Sequence, residues 1–276
     1  MPDMTLSTIW DNRKAIAEML RALHAWFVDR YAQKGNILII GAGGTGKSTL
    51  CRILSGKYDF LLDSAESYEE SIGVELQTRP GKAGQPAITF LVPPGQEHRR
   101  NATWAEPLAA LADGEFSGII LVSSYGYHSL GDVPIEQNQF YRGHKDQFLR
   151  EYLEAMRHDE TAILKIVASQ MKKNSKKQWL FSVVTKQDLW WAERDAVNAF
   201  YGGGPFGNEV AHLKTSLKPS DFRYESAFAC LTISNFAAAS GTMLKFATAG
   251  FDQQLQVKSL HKVIDVVNAL KTWEAQ

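Results

Sequence analysis

The sequence lacks the features that would direct it to nucleic acid, to a membrane or to an oxidising compartment. Its 276 residues carry 30 Lys plus Arg against 30 Asp plus Glu, so no basic excess indicates a nucleic-acid partner. The two cysteines, Cys51 and Cys230, have no metal-ligand spacing, which favours buried thiols in a reducing compartment. No apolar run approaches the roughly 18 residues of a membrane span, and no signal peptide is recognisable. We therefore expect a cytoplasmic protein without membrane insertion.

The most informative stretch is a glycine-rich turn that follows the apolar run Ile37 to Ile40. Residues Gly41 to Ser48 match the P-loop pattern G-x-x-x-x-G-K-S, with a strand predicted before the turn and a helix after it. Glycines let several backbone N–H groups converge on one phosphate, and the helix N-terminus adds partial positive charge. Lys47 is expected to reach the β- and γ-phosphates, and the Ser48 hydroxyl to ligate Mg²⁺. The nucleotide-binding residues predicted here are Gly41, Gly43, Gly44, Thr45, Gly46, Lys47, Ser48 and Thr49.

Strands and helices alternate along the rest of the chain. Strands are predicted at 71–77, 87–92, 118–123, 179–184 and 228–233, with 243–247 as a candidate for one more. Helices are predicted at 46–56, 103–111, 143–172 (one or two), 189–200 and 256–273, with a helix or irregular piece at 206–224. The first two strands flank a glycine- and proline-bearing turn and form an antiparallel hairpin. The pattern predicts an α/β P-loop NTPase with three αβα layers, a mostly parallel sheet and one antiparallel edge hairpin.

Two segments extend this domain, which we place at residues 36–276. Residues 1–35 contain an amphipathic helix, predicted over 8–33, that either packs on the domain or docks a partner or a second copy. A loop and helical stretch at about 126–175 is interpreted as an insertion in which partner specificity lies, because long loops inside compact domains are usually functional or disordered.

The order of short motifs resembles the Ras-like small GTPases, Rab proteins most closely. After the P-loop come Ser-Ile-Gly-Val (71–74), the hairpin, Pro-Gly-Gln-Glu (94–97), a buried strand and Thr-Lys-Gln-Asp (185–188). The resemblance covers roughly residues 36–125 and 178–235. It implies a Ras-like G domain that binds GTP or GDP with Mg²⁺ and uses two switch loops to control a protein effector or regulator.

The resemblance also assigns the residues that read the base. Asp188 would accept hydrogen bonds from N1–H and the exocyclic amine of guanine, a donor pair that adenine lacks. Lys186 would lay its stem over the base plane, and Thr185 completes the motif. By position, Ser234 and Asn235 would supply the base-contacting loop after the last strand, with residues 226–227 as the rival.

The switch residues follow in the same way. Ser71 keeps the hydroxyl with which the family's threonine contacts Mg²⁺ and the γ-phosphate, so Ser48 and Ser71 are the predicted metal ligands. Gly95 would offer its N–H to the γ-phosphate, and Gln96 would orient the attacking water as the catalytic residue. The neighbouring residues Arg99 and Arg100 could stabilise charge.

One position departs from the family. Its switch II aspartate, which organises the Mg²⁺ shell through water, is Val92 here, and such losses typically cost about 10–100-fold in metal affinity or activity. Pro93 and Pro94 also stiffen this loop. We expect slow hydrolysis unless another carboxylate substitutes; the candidates are Glu97, Asp63 and Glu66.

Three functions are consistent with these motifs. The leading hypothesis is a guanine-nucleotide switch that hydrolyses GTP slowly. The alternative is a pseudo-GTPase scaffold that binds nucleotide without turnover. A P-loop ATPase or kinase is third, because no apolar strand ends in a metal-organising Asp and no arginine-rich lid is found.

Overall fold

The structure is a computed structural model, and it describes residues 35–57, 74–79, 88–131, 134–238 and 241–276. The predicted N-terminal helix, Ser71 and the hairpin turn at 80–86 lie outside the described residues, as do Asp63 and Glu66.

A six-stranded sheet forms the centre of the described part of the chain. Its order is β2-β3-β1-β4-β5-β6, and every pair is parallel except β2 with β3. The strands are β1 (Gly35–Gly41), β2 (Glu75–Arg79), β3 (Ile88–Val92), β4 (Phe116–Ser123), β5 (Gln178–Val184) and β6 (Phe222–Phe228). A separate two-stranded sheet pairs β7 (Phe236–Ala237) with β8 (Met243–Lys245). The predicted mostly parallel sheet with one antiparallel edge strand is confirmed.

Helices cover both faces of this sheet. They are α1 (Lys47–Leu54), α2 (Glu97–Thr103), α3 (Ala105–Ala112), α4 (Lys145–Met171), α5 (Gln187–Trp190), α6 (Arg194–Gly202), α7 (Pro205–Ser216) and α8 (Gln253–Glu274). Side chains alternate across the pleat of β1, as strand geometry requires. Ile37 and Ile39 join the apolar core under α1 and α8, whereas Leu38 and Ile40 join the core under α3, α4, α6 and α7. These two cores define the three αβα layers.

Two helices begin at residues that suit a helix N-terminus. The Asp252 side chain caps α8 by accepting a hydrogen bond from the Leu255 N–H at 2.9 Å. Pro205 occupies the first position of α7, where its missing N–H breaks no helical hydrogen bond. Within the described ranges, no helix has the length and apolar character that crossing a membrane requires.

Three predicted elements are corrected. The strand expected at 228–233 ends at Phe228, because β6 is a partly exposed edge strand while the apolar residues after it are buried in a loop. The helix expected at 103–111 is α3 (Ala105–Ala112), and α2 (Glu97–Thr103), which ends just before Trp104, was not predicted. The candidate strand at 243–247 pairs with β7 and does not extend the main sheet.

The segment interpreted as an insertion consists of a loop and α4. Strands β4 and β5 are parallel neighbours, and a parallel pair needs a crossover, which α4 provides here. Loop residues 124–131 and 134–144, with one 3₁₀ turn at Ile135–Gln137, precede that crossover helix.

Candidate nucleotide-binding site

The P-loop joins the carboxyl end of β1 to α1, the edge of a parallel sheet at which ligands bind. Gly44 and Gly46 have φ angles of 69° and 93°, a region that favours glycine. A Cβ on Gly44 would lie 2.4 Å from the backbone N of Ser129, so the space is also closed to side chains. The Thr45 hydroxyl donates to the Ala42 carbonyl at 3.0 Å and holds the turn.

Lys47 is buried at the start of α1 and donates to the Ala42 carbonyl at 2.8 Å. Burial, followed by the Arg100 charge, lowers the pKa of Lys47 to about 7, while the Glu75 charge opposes the shift. An anion next to this ammonium would favour its charged form.

Ser48 meets a carboxylate that the sequence analysis did not select. Its hydroxyl donates to Glu75 Oε1 at 2.8 Å, and Glu75 is the first residue of β2. Mg²⁺ takes oxygen ligands, commonly one or two carboxylates with substrate phosphates and waters. The pair Ser48 and Glu75, beside a phosphate-binding loop, fits that ion. Within the described ranges, no cluster of three His, Cys, Asp or Glu residues could hold a metal alone.

The loop after β3 packs directly on the P-loop. A Cβ on Gly95 would lie 2.3 Å from both the Gly41 carbonyl oxygen and Lys47 Nζ. A Cβ on Gly43 would lie 3.2 Å from Gln96 Cγ. The structure therefore places Gly95 and Gln96 beside the phosphate-binding turn, while their catalytic roles stay predictions.

Four hydrogen bonds from two side chains hold the predicted switch II segment, residues 94–104. The Trp104 indole N–H donates to the Pro94 carbonyl at 2.6 Å, and Arg100 Nε donates to the Gly95 carbonyl at 2.8 Å. The same guanidinium makes a bidentate pair with Asp159 of α4, both distances being 2.5 Å. Arg100 thus ties the segment to the crossover helix. Val92, at its start, is 2% exposed and lies in the apolar core.

The Thr-Lys-Gln-Asp motif, which is predicted to read the base, directly follows the carboxyl end of β5. The Thr185 hydroxyl is 2.6 Å from the Thr45 carbonyl oxygen and 3.0 Å from that of Ser123, so it joins this motif to the P-loop. Lys186 has a φ of 56°, and burial lowers its pKa to about 8 despite the Asp188 charge. Burial raises the pKa of Asp188, against hydrogen bonds from Ser234 and Cys230.

Asp188 is held from one side by the loop after β6. The Cys230 thiol donates to Oδ1 at 3.3 Å, and the Ser234 N–H donates to Oδ2 at 2.9 Å. The Asn235 side chain instead accepts from the Ala247 N–H at 2.9 Å. The rival pair 226–227 lies inside β6, paired with residues 182–183 of β5. The contact of Cys230 with Asp188 was not predicted, because the sequence pattern predicts a strand over its position.

A second loop, residues 124–131, packs on the P-loop from β4. Ser129 Oγ lies 3.5 Å from the Gly44 carbonyl oxygen. The buried carboxylate of Glu160 in α4 organises this loop. It accepts from the backbone N–H groups of Ser124 and Gly126 at 2.7 and 3.1 Å and from the Tyr201 hydroxyl at 2.6 Å. Nothing in the sequence around 160 marks this role, because all its partners are distant in the chain.

Comparison with known proteins yields similarity of structure only. No protein-family model matches the sequence, and no curated protein matches it. Similar solved structures include the bacterial selenocysteine-specific elongation factor EF-Sec, the GTP-binding protein SAR1 of Encephalitozoon cuniculi in complex with GDP, and a dimerization-deficient mutant of Toc33 from Arabidopsis thaliana. Their identities are 17%, 13% and 12%, and their TM-scores 0.38, 0.40 and 0.44.

The matches differ in how much of each protein they include. They cover 86%, 94% and 95% of this chain, and 29%, 93% and 91% of the other chains in the same order. The chain thus spans less than a third of the elongation factor's length.

The strand order and the motif positions define the fold by themselves. The P-loop follows β1, which lies inside the sheet, an antiparallel β2 closes one edge, and Thr185 to Asp188 follow β5. The described part of the chain has the fold of a P-loop G domain, and the predicted Ras-like fold is confirmed.

Proposed function

We propose that this protein is a guanine-nucleotide-binding switch that hydrolyses GTP slowly with Mg²⁺ and controls a protein partner through its switch loops. One observation carries the proposal. The Thr185 hydroxyl joins the Thr-Lys-Gln-Asp loop to the P-loop at 2.6 Å, so the base-reading and phosphate-binding elements form one site.

Guanine is favoured over adenine by the surroundings of Asp188. This carboxylate is 1% exposed, and its contacts to Cys230 and Ser234 leave acceptor capacity on each oxygen. Guanine N1–H and its exocyclic amine would complete these hydrogen bonds. Adenine offers no such pair of donors, and leaving buried polar groups unmatched discriminates strongly between substrates.

The switch behaviour rests on the segment from Pro94 to Trp104. Gly95 stands against Lys47, where a γ-phosphate would be sensed, and Arg100 transmits its position to α4 through Asp159. A displacement of Gly95 would therefore also shift the ion pair between Arg100 and Asp159 of α4. Coupling of this kind gives a partner a surface that differs between the GTP and GDP states.

Slow hydrolysis is expected from two features. The apolar Val92 cannot hold metal-bound water, and the Arg100 guanidinium is engaged by Asp159 and by the Gly95 carbonyl. Gln96 remains the residue proposed to orient the attacking water.

The test exchanges the base-reading carboxylate. Asp188→Asn replaces an acceptor by an amide that can donate, so GDP affinity should fall by about 10–100-fold while affinity for xanthosine diphosphate rises. The measurement is calorimetric titration of the nucleotide-stripped chain and of the variant with GDP, xanthosine diphosphate and ADP. ADP binding to the original chain as tight as GDP binding contradicts the proposal.

A pseudo-GTPase is the second candidate, and Val92 is the observation that favours it. Such a scaffold would bind guanine nucleotide with the same site but would not turn it over. Single-turnover phosphate release from bound GTP separates the two, with Gln96→Leu as the control. A switch enzyme slows on this exchange, whereas equal rates in both chains remove Gln96 from the chemistry.

A further inference from the structure

We infer that Glu75 supplies the carboxylate of the Mg²⁺ site, in place of the one that Ras-like proteins carry at the position of Val92. The inference rests on the proposed function, because it assigns a residue to the metal that accompanies the nucleotide. It names a metal-organising group that none of the sequence motifs indicated.

The first support is the contact with Ser48. The hydroxyl of this residue is the one that the P-loop pattern assigns to Mg²⁺, and it donates to Glu75 Oε1 at 2.8 Å. Both oxygens are hard donors of the kind that Mg²⁺ selects. A carboxylate that accepts from a metal-binding hydroxyl is within reach of the ion itself or of water bound to it.

The second support is the register of the edge hairpin. Glu75 and Val92 are direct partners in the antiparallel ladder between β2 and β3. Directly opposed residues point to the same face of a sheet, with Cβ atoms about 4.5–5.5 Å apart. The carboxylate therefore stands one ladder position across from where the family carries it. The longer stem of glutamate helps to bridge that distance.

Burial distinguishes Glu75 from the other described candidate. Glu97 is exposed in the first turn of α2, whereas Glu75 is half-buried against α1. Val92 contributes its side chain to the apolar core that contains Leu50 and Ile53 of α1. Because Val92 packs in the apolar core, we assign the metal-organising role to Glu75, its partner on the neighbouring strand.

The contact with Ser48 places the Glu75 carboxylate beside the phosphate-binding loop. Ser48 directly follows Lys47, and its hydroxyl donates to Glu75 Oε1 at 2.8 Å. Without metal, this negative charge would repel a diphosphate. With metal, it would stabilise the ion that the phosphates also hold. Neutralising Glu75 should therefore leave metal-free nucleotide binding unchanged or tighter and should remove the gain from Mg²⁺.

The experiment measures release of a fluorescent GDP analogue from the full chain across a Mg²⁺ titration, starting in chelator. Glu75→Gln keeps an oxygen acceptor for the Ser48 hydroxyl but removes the charge. We expect its Mg²⁺ midpoint to shift upward by about 10–100-fold, with release in chelator no faster than in the original chain. Glu97→Gln removes a nearby exposed charge and should leave the titration unchanged.

Glu75→Asp and Mn²⁺ binding provide independent readouts. Asp keeps the charge and should retain more of the Mg²⁺ response than Gln does. In paramagnetic resonance spectra of the GDP complex, the signal of bound Mn²⁺ should be weaker in the Gln variant alone. A Gln variant that responds like the original chain, or an original chain that binds GDP without any response to Mg²⁺, overturns the inference and leaves guanine binding intact. An original chain that binds no GDP overturns the proposed function and the inference with it.

Discussion

The base end and the phosphate end of the candidate site are built in different ways. At the base end, Thr185 and Asp188 are each 1% exposed and lie at the carboxyl end of β5, which is surrounded by other elements. At the phosphate end, Ser48 and Glu75 are half-buried, and β2 is an edge strand. The polar groups of the base end are therefore held by hydrogen bonds inside the core, whereas the contact between Ser48 and Glu75 joins two elements at a partly exposed edge. We interpret the first as the source of nucleotide choice and the second as the part that responds to the nucleotide state.

The pH dependence of stability should separate the two ends. The pKa is about 7 for Lys47 and about 8 for Lys186, against about 10.5 in the unfolded chain. Above each folded pKa the unfolded state binds more protons, so the free energy of unfolding of the nucleotide-free chain should rise with pH. The gain is about 1.4 kcal/mol per pH unit for each lysine, starting near pH 7 at the phosphate end and near pH 8 at the base end.

Chemical denaturation of the nucleotide-free chain between pH 6.5 and 9 measures this rise. Above that window the raised pKa values of Cys51 and Cys230 work against it, because their thiols ionise only in the unfolded state. Lys47→Met should remove the part that begins near pH 7, and Lys186→Met the part that begins near pH 8. A profile that is flat in the original chain contradicts the assignment of both lysines.

Thr185→Val tests the link between the two ends. The exchange keeps the shape and removes the hydroxyl, which leaves the buried carbonyls of Thr45 and Ser123 with one donor fewer. We expect the free energy of unfolding to fall by about 1–3 kcal/mol and GDP affinity to fall with it. Thr185→Ser retains the donor and is the matched control. If the Val variant binds GDP as tightly as the Ser variant, the two ends act independently.

Asp159→Asn tests the response to the nucleotide state that we assign to the phosphate end. The side chains of Asp159 and Arg100 are 24% and 13% exposed, and solvent weakens such a pair. We therefore expect the free energy of unfolding to fall by about 1 kcal/mol. GDP affinity should stay within about twofold, because nothing at the base end changes. Cleavage of the switch II segment by trypsin should accelerate. Equal cleavage in both chains would show that this pair does not restrain the segment.

The sequence predicted those parts of the site whose chemistry is local. Glycines at positions 44 and 46, with Lys47 after them, mark a phosphate-binding turn, and apolar runs locate β1, β4 and β5 because these strands are buried on both faces. The alternation of strands and helices then predicts a mostly parallel sheet with one antiparallel edge hairpin, but it does not give the strand order. The resemblance places the Thr-Lys-Gln-Asp motif after a buried strand, and the motif directly follows β5.

The parts that sequence reasoning missed depend on contacts between distant residues. Glu75 acquires its role from Ser48, 27 positions earlier in the chain, and from the register with Val92. Glu160 gathers donors from a loop more than 30 positions before it. Cys230 was hidden because a buried apolar loop and a buried strand have the same pattern in sequence. No local signal distinguishes such residues from ordinary core or surface positions.

The most direct test of the central claim is the identity of the nucleotide that the purified full chain retains. Nucleotide released by denaturation is separated by chromatography, and magnesium is determined in the same sample. The account predicts GDP or GTP together with magnesium. Retention of an adenine nucleotide in its place would contradict the account.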